Sequence, residues 1–168
     1  MMTESQARGV ISRFQNEAPV DVTGIAEALG LNVWESDAEL PEGVSGKLFK
    51  DPFNGGAEGF SIIVRESDPY VRRRFTVAHE IAHFILHRNQ VGDSLADDEL
   101  YRSGLTTRQE AQANRFAADI LMPRDLIARY VNRFGTDVES LASEFKVSVA
   151  AMTIRLGLPP NPVPSFAR

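Results

Sequence analysis

One pentapeptide constrains this chain more than any other feature: His79-Glu80-Ile81-Ala82-His83, set within RRRFTVAHEIAHFILHR. It matches H-E-x-x-H, a pattern that carries a mechanism when it lies on a helix. Residues four apart on a helix share one face, about 6 Å apart along the axis. Two imidazoles so placed can converge on one zinc ion at about 2.0–2.1 Å each. Glu80 then falls beside the metal, where it can take a proton from an attacking water. The flanking residues suit a helix. No Gly or Pro interrupts Tyr70 to Arg88, and Phe75, Ala78, Ala82, Ile85 and Leu86 recur at three- and four-residue steps as an apolar stripe. The competing reading is a buried helix with incidental histidines. Against it, the chain has only three histidines and all lie in this stretch. The third, His87, is about 12 Å along the axis from His79, too far to complete the same site. It reads as a helix-end residue facing solvent or the last carbonyls, with a place beside the substrate as the lesser alternative.

The rest of the composition narrows the chemistry. With 168 residues, the chain can bury a core of its own. There are no cysteines, so disulfides and thiolate metal sites are excluded, and a metal must be held by His and carboxylate. A net charge of −5 argues against broad nucleic-acid binding. No signal-peptide pattern opens the chain, and no apolar run approaches the roughly 20 residues needed to span a bilayer. The expectation is a cytoplasmic protein with no membrane partner.

A catalytic zinc commonly has three protein ligands and one open position. A metzincin would place Gly and His where this chain has Leu86 and Asn89. The third ligand is therefore expected to be a carboxylate on a second helix, and Glu110 is the first choice. It opens a helix rich in Ala111, Ala113, Ala117 and Ala118, which could approach the first helix closely. Asn114, one turn on, could accept a hydrogen bond from a ligand histidine's outer N–H. The rival reading makes Glu110 part of a capping box with Thr107. Asp119 is the weaker ligand candidate and could instead bond to a ligand.

The remaining elements follow from local signals. Helices are expected from Thr3 to about Asn16 and over VTGIAEAL, the latter ended by Gly30. Strands are expected at Leu31–Glu35, Gly46–Lys50 and Glu58–Arg65, the last two as a hairpin. The last strand could be the sheet edge that pairs with an extended substrate. The acidic stretch after Arg88, with Asp93, Asp97, Asp98 and Glu99, reads as a loop, either a plain connection or a lid. Further helices follow at Thr107–Leu121, after Pro123 up to Gly135, and as a short pair around Lys146-Val147-Ser148. The fold expected is α+β and helix-rich: a zincin-like domain over 1–158 with a small, mostly antiparallel three-stranded sheet on the His79–His83 helix. Residues 136–158 form a helix-turn-helix-like pair, and the proline-rich 159–168 a disordered tail.

FTVAHEIAHFILH followed by EAQANRFAADILMP resembles the ImmA/IrrE family of metallo-endopeptidases. The resemblance is specific over about Arg74 to Pro123 and looser to Leu158. It implies His79, His83 and Glu110 as zinc ligands, Glu80 as general base, and a helix-turn-helix transcriptional repressor as the protein cut. Unlike some longer members, the chain is expected to have no fused DNA-binding domain at its start and no large C-terminal sensor domain. The alternative function is a non-proteolytic module, or toxin component, that complexes a helix-turn-helix partner. Direct DNA binding through the C-terminal pair is disfavoured. Asp137 to Gly157 offers only Lys146 and Arg155 as basic residues against three acidic ones, too little for phosphate contacts.

Overall fold

The computed structural model describes residues 2–91 and 106–159. Among them are seven α-helices and a three-stranded sheet: α1 (Glu4–Ser12), α2 (Val22–Ala28), β1 (Leu31–Glu35), β2 (Gly46–Lys50), β3 (Phe60–Val64), α3 (Tyr70–His87), α4 (Thr107–Leu121), α5 (Arg124–Phe134), α6 (Val138–Phe145) and α7 (Val149–Arg155). The fold is α+β and helix-rich, as expected. Most of the acidic loop and nearly all of the proline-rich tail lie outside the described residues.

Short polar residues set the helix starts. Thr3, Asp21, Asp137 and Ser148 each accept a backbone N–H three residues on. Gly30, at φ 79°, ends α2 in a conformation that a side chain would strain. The first helix is shorter than expected, since α1 stops at Ser12.

The sheet contains the expected hairpin but is mixed rather than mostly antiparallel. Its order is β1-β3-β2. β2 and β3 form the antiparallel hairpin, with Gly46 opposite Val64 and Lys50 opposite Phe60. β1, however, runs parallel to β3, with Leu31 opposite Phe60 and Glu35 opposite Val64. The sheet is therefore mixed. The chain between Glu35 and Phe60 is long enough for the crossover that a parallel pair needs. A second correction follows: the 58–65 strand is central, so β1 and β2 are the edges and β3 offers no free edge to a substrate. Asp51 steadies the hairpin turn, accepting from the Asn54 backbone N–H at 2.9 Å and the Ser61 hydroxyl at 2.8 Å. These bonds, the backbone one foremost, hold its carboxyl below the usual carboxylate range.

One sheet face meets the helices. Leu31, Leu48, Ile62 and Val64 pack in a cluster with Ala78, Ile81, Ala82 and Phe84 of α3, and Phe84 meets the Phe60 ring edge-on at 5.3 Å. The buried face of α3 differs in part from the expected stripe. Val77, Ile81 and Phe84 lie deep, whereas Phe75, Ile85 and Leu86 are only half-buried. Each fully buried side chain of this size contributes about 1.5–3 kcal/mol. On the other side of α3 lies α4, which buries Ala113 and Ala117 but leaves Ala111 exposed. Leu141, Phe145, Val147 and Met152 of the C-terminal pair belong to the same cluster. The Arg74 guanidinium ties that pair to α3: it is buried and donates to the carbonyls of Val20 at 2.8 Å and Lys146 at 3.2 Å.

Where β2 begins, backbone and helix nearly touch. A Cβ on Gly46 would stand 2.2 Å from Thr76 Cγ2 and 3.0 Å from the Ile63 carbonyl oxygen. Gly46→Ala should therefore lower stability by about 1–3 kcal/mol, read as a fall in midpoint on thermal melting. Adding Thr76→Ser removes the offending methyl and should recover part of the loss. An unchanged midpoint in Gly46→Ala would contradict this packing.

Candidate metal centre

Helix α3 presents His79 and His83 one turn apart, and α4 brings Glu110 against them. His79 Nε2 and His83 Nε2 lie 2.9 Å apart. Glu110 Oε2 is 3.4 Å from His79 Nε2, and Oε1 is 3.3 Å from His83 Nε2. All three offer a donor atom within 4.8 Å of one another. Three ligands about 2.05 Å from one tetrahedral ion would be separated by about 3.3 Å, so this cluster has the right size. Two imidazole nitrogens and a carboxylate also suit zinc chemically. These residues could hold such an ion.

The outer nitrogens are occupied as well. His79 Nδ1 is 2.9 Å from Asn114 Oδ1. His83 Nδ1 is 3.0 Å from Nδ1 of His87. That contact corrects the reading of His87 as a solvent-facing helix end: it is buried, at 6% exposure, against His83. The signal was in the spacing, since 79, 83 and 87 repeat the four-residue step that keeps side chains on one face.

The two carboxylates make different contacts. The capping box at the start of α4 uses Thr106 and Gln109, one residue earlier than expected. Thr106 Oγ1 accepts from the Gln109 N–H at 3.2 Å, and Gln109 Oε1 accepts from the Thr106 N–H at 3.0 Å. The Glu110 side chain is thus free of that duty. Asp119 does not join the cluster; it pairs with Arg155 at 2.8 Å.

Glu80 is buried, at 5% exposure, and lines a cleft of about 500 Å³. Ser45 and Gly46 at the start of β2, Phe75, Thr76 and His79 of α3, and Ser148 and Ala151 of the C-terminal pair also line it. A second cavity of about 650 Å³ shares Phe75, Asn114, Ser148 and Ala151 with it. It continues between α4 and α7 past Met122 and Ile154.

Residues 26–157 match the family described as the IrrE N-terminal-like domain, a peptidase family. The chain belongs to that family. Among curated proteins, the radiation response metalloprotease IrrE of Deinococcus radiodurans is 39% identical over 83 residues, which are 48% of this chain and 25% of that protein. Among solved structures, a Mycobacterium tuberculosis transcriptional regulator superposes with a TM-score of 0.60 at 16% identity, over 95% of this chain and 48% of that one. At that identity the likeness concerns the fold alone. The chain therefore spans a quarter of the first relative's length and about half of the second's. In the IrrE-like match, the cluster and the cleft both fall inside the matched span.

Proposed function

We propose that this chain is a zinc-dependent endopeptidase whose substrate is a helix-turn-helix transcriptional repressor. The observation that carries the reading is the inward grouping of His79 Nε2, His83 Nε2 and Glu110 beside a buried Glu80 that lines an open cleft. A bound zinc would polarise the scissile carbonyl and acidify the attacking water. The chain's own residues do the rest. Glu80 takes the water's proton and delivers it to the leaving amine. His79, His83 and Glu110 hold the ion, and Asn114 orients His79 through its outer N–H. The substrate lies extended along β2, the edge strand whose first residue, Gly46, lines the cleft, rather than along β3.

The C-terminal pair serves as a wall of the cleft and a docking surface for the partner, not as a DNA reader. Of its two basic residues, Arg155 is bound to Asp119 and to the Met122 carbonyl. Among the described residues, no helix is long and apolar enough to cross a membrane. The test is incubation with purified helix-turn-helix repressors, with zinc or with chelator. The expected result is two fragments by intact-mass spectrometry, abolished by the chelator. A stable complex with an uncut partner would favour the binding module instead.

A further inference from the structure

We infer that His87 is a positioning residue for His83, acting as a neutral relay between it and Gln112. The inference rests on the proposed metal centre and concerns how the chain prepares one of its ligands.

The argument starts from the contacts of His87 at its two ring nitrogens. Nδ1 is 3.0 Å from His83 Nδ1, and Nε2 is 3.4 Å from Gln112 Oε1 on α4. The two rings lie 5.2 Å apart at 48°. A hydrogen bond between two Nδ1 atoms needs one donor and one acceptor, and a neutral imidazole has one of each. The amide oxygen of Gln112 only accepts, so His87 carries its proton on Nε2. Its Nδ1 is then bare and accepts from His83 Nδ1–H. That leaves the lone pair of His83 on Nε2, the atom that faces His79 and Glu110. One amide oxygen thus fixes the protons along the whole chain of bonds. Turning the Gln112 amide over would reverse each bond and place a proton on His83 Nε2, which would abolish it as a ligand.

The two ligand histidines are served differently. For His79 the accepting oxygen is Asn114 Oδ1, in direct contact. For His83, which is nearly fully buried, the oxygen is one imidazole further away. Outer partners of metal-bound histidines commonly contribute about 10–100-fold in metal affinity.

Zinc affinity of the whole chain, measured by competition with a chromophoric chelator, tests the relay. His87→Phe keeps an aromatic ring but removes the acceptor, and should weaken zinc binding by about 10–100-fold. His87→Asn can present an acceptor near the Nδ1 position and should restore most of the loss. Gln112→Met changes an exposed residue, leaves the core alone, and should weaken zinc in the same direction. Nitrogen-15 long-range correlation spectra of the zinc-loaded wild type should show His83 protonated on Nδ1 and His87 on Nε2. If His87 only fills space, Phe should bind zinc as well as wild type and Asn should be the worse variant; that order overturns the relay. So does a proton on His87 Nδ1 in those spectra. A wild-type chain that binds no zinc overturns the metal centre itself, and the relay with it. Normal wild-type binding with an unaffected His87→Phe removes only the relay.

Discussion

Glu80→Gln is expected to slow peptide-bond cleavage by about 10²–10⁴-fold, the usual contribution of a positioned general base, while zinc affinity stays at the wild-type level. The amide is close to the carboxylate in shape, so the buried side chain keeps its place on α3 at the cleft. It cannot take up a proton from water, and so the attacking oxygen is no longer activated as the bond forms. Glu80 is not among the three side chains whose donor atoms group together, which is why metal binding should survive its replacement. Single-turnover cleavage of the helix-turn-helix partner, quantified by fragment mass alongside a zinc titration, separates the two effects. Loss of zinc together with cleavage would move Glu80 into the ligand set. Wild-type-like cutting would remove it as the base.

How much of this was readable in the chain depends on the range over which each feature is set. The α3 helix and the facing of His79 and His83 depend on a four-residue step and an uninterrupted run, both local. The hairpin of β2 and β3 is nearly local too, because only residues 51–59 separate the strands and Gly, Asn and Pro mark the turn. The parallel partnership of β1 with β3 is not. It is decided by packing of Leu31, Leu48 and Ile62 under α2 and α3, across a crossover whose path no short window reveals. A similar difficulty surrounds the start of α4. Both Thr106 and Thr107 stand three residues before a Gln or Glu, so two capping registers fit the sequence equally well. The structure uses the earlier one, with Thr106 extended at ψ 154°. His87 is hidden for another reason: its distance from His79 rules it out as a ligand, whereas its partner is the neighbouring His83.

Glu110→Gln is expected to lower zinc affinity by more than the roughly 10–100-fold that loss of an outer hydrogen-bond partner costs, and to abolish cleavage with it. The change removes the anionic donor from a set otherwise made of two neutral imidazoles. The chain has no cysteine to substitute, and Asp119 is held by Arg155. Stability should hardly move. The Glu110 side chain is 43% exposed, and the cap of α4 belongs to Thr106 and Gln109. Thermal melting of the metal-free variant should therefore match metal-free wild type, while chelator competition shows weak zinc binding. That combination distinguishes a ligand from a helix-capping residue, whose loss would lower the melting midpoint and leave zinc alone. Wild-type zinc affinity in Glu110→Gln would sink the assignment. The carboxylate would then be no more than a neighbour of the two histidines.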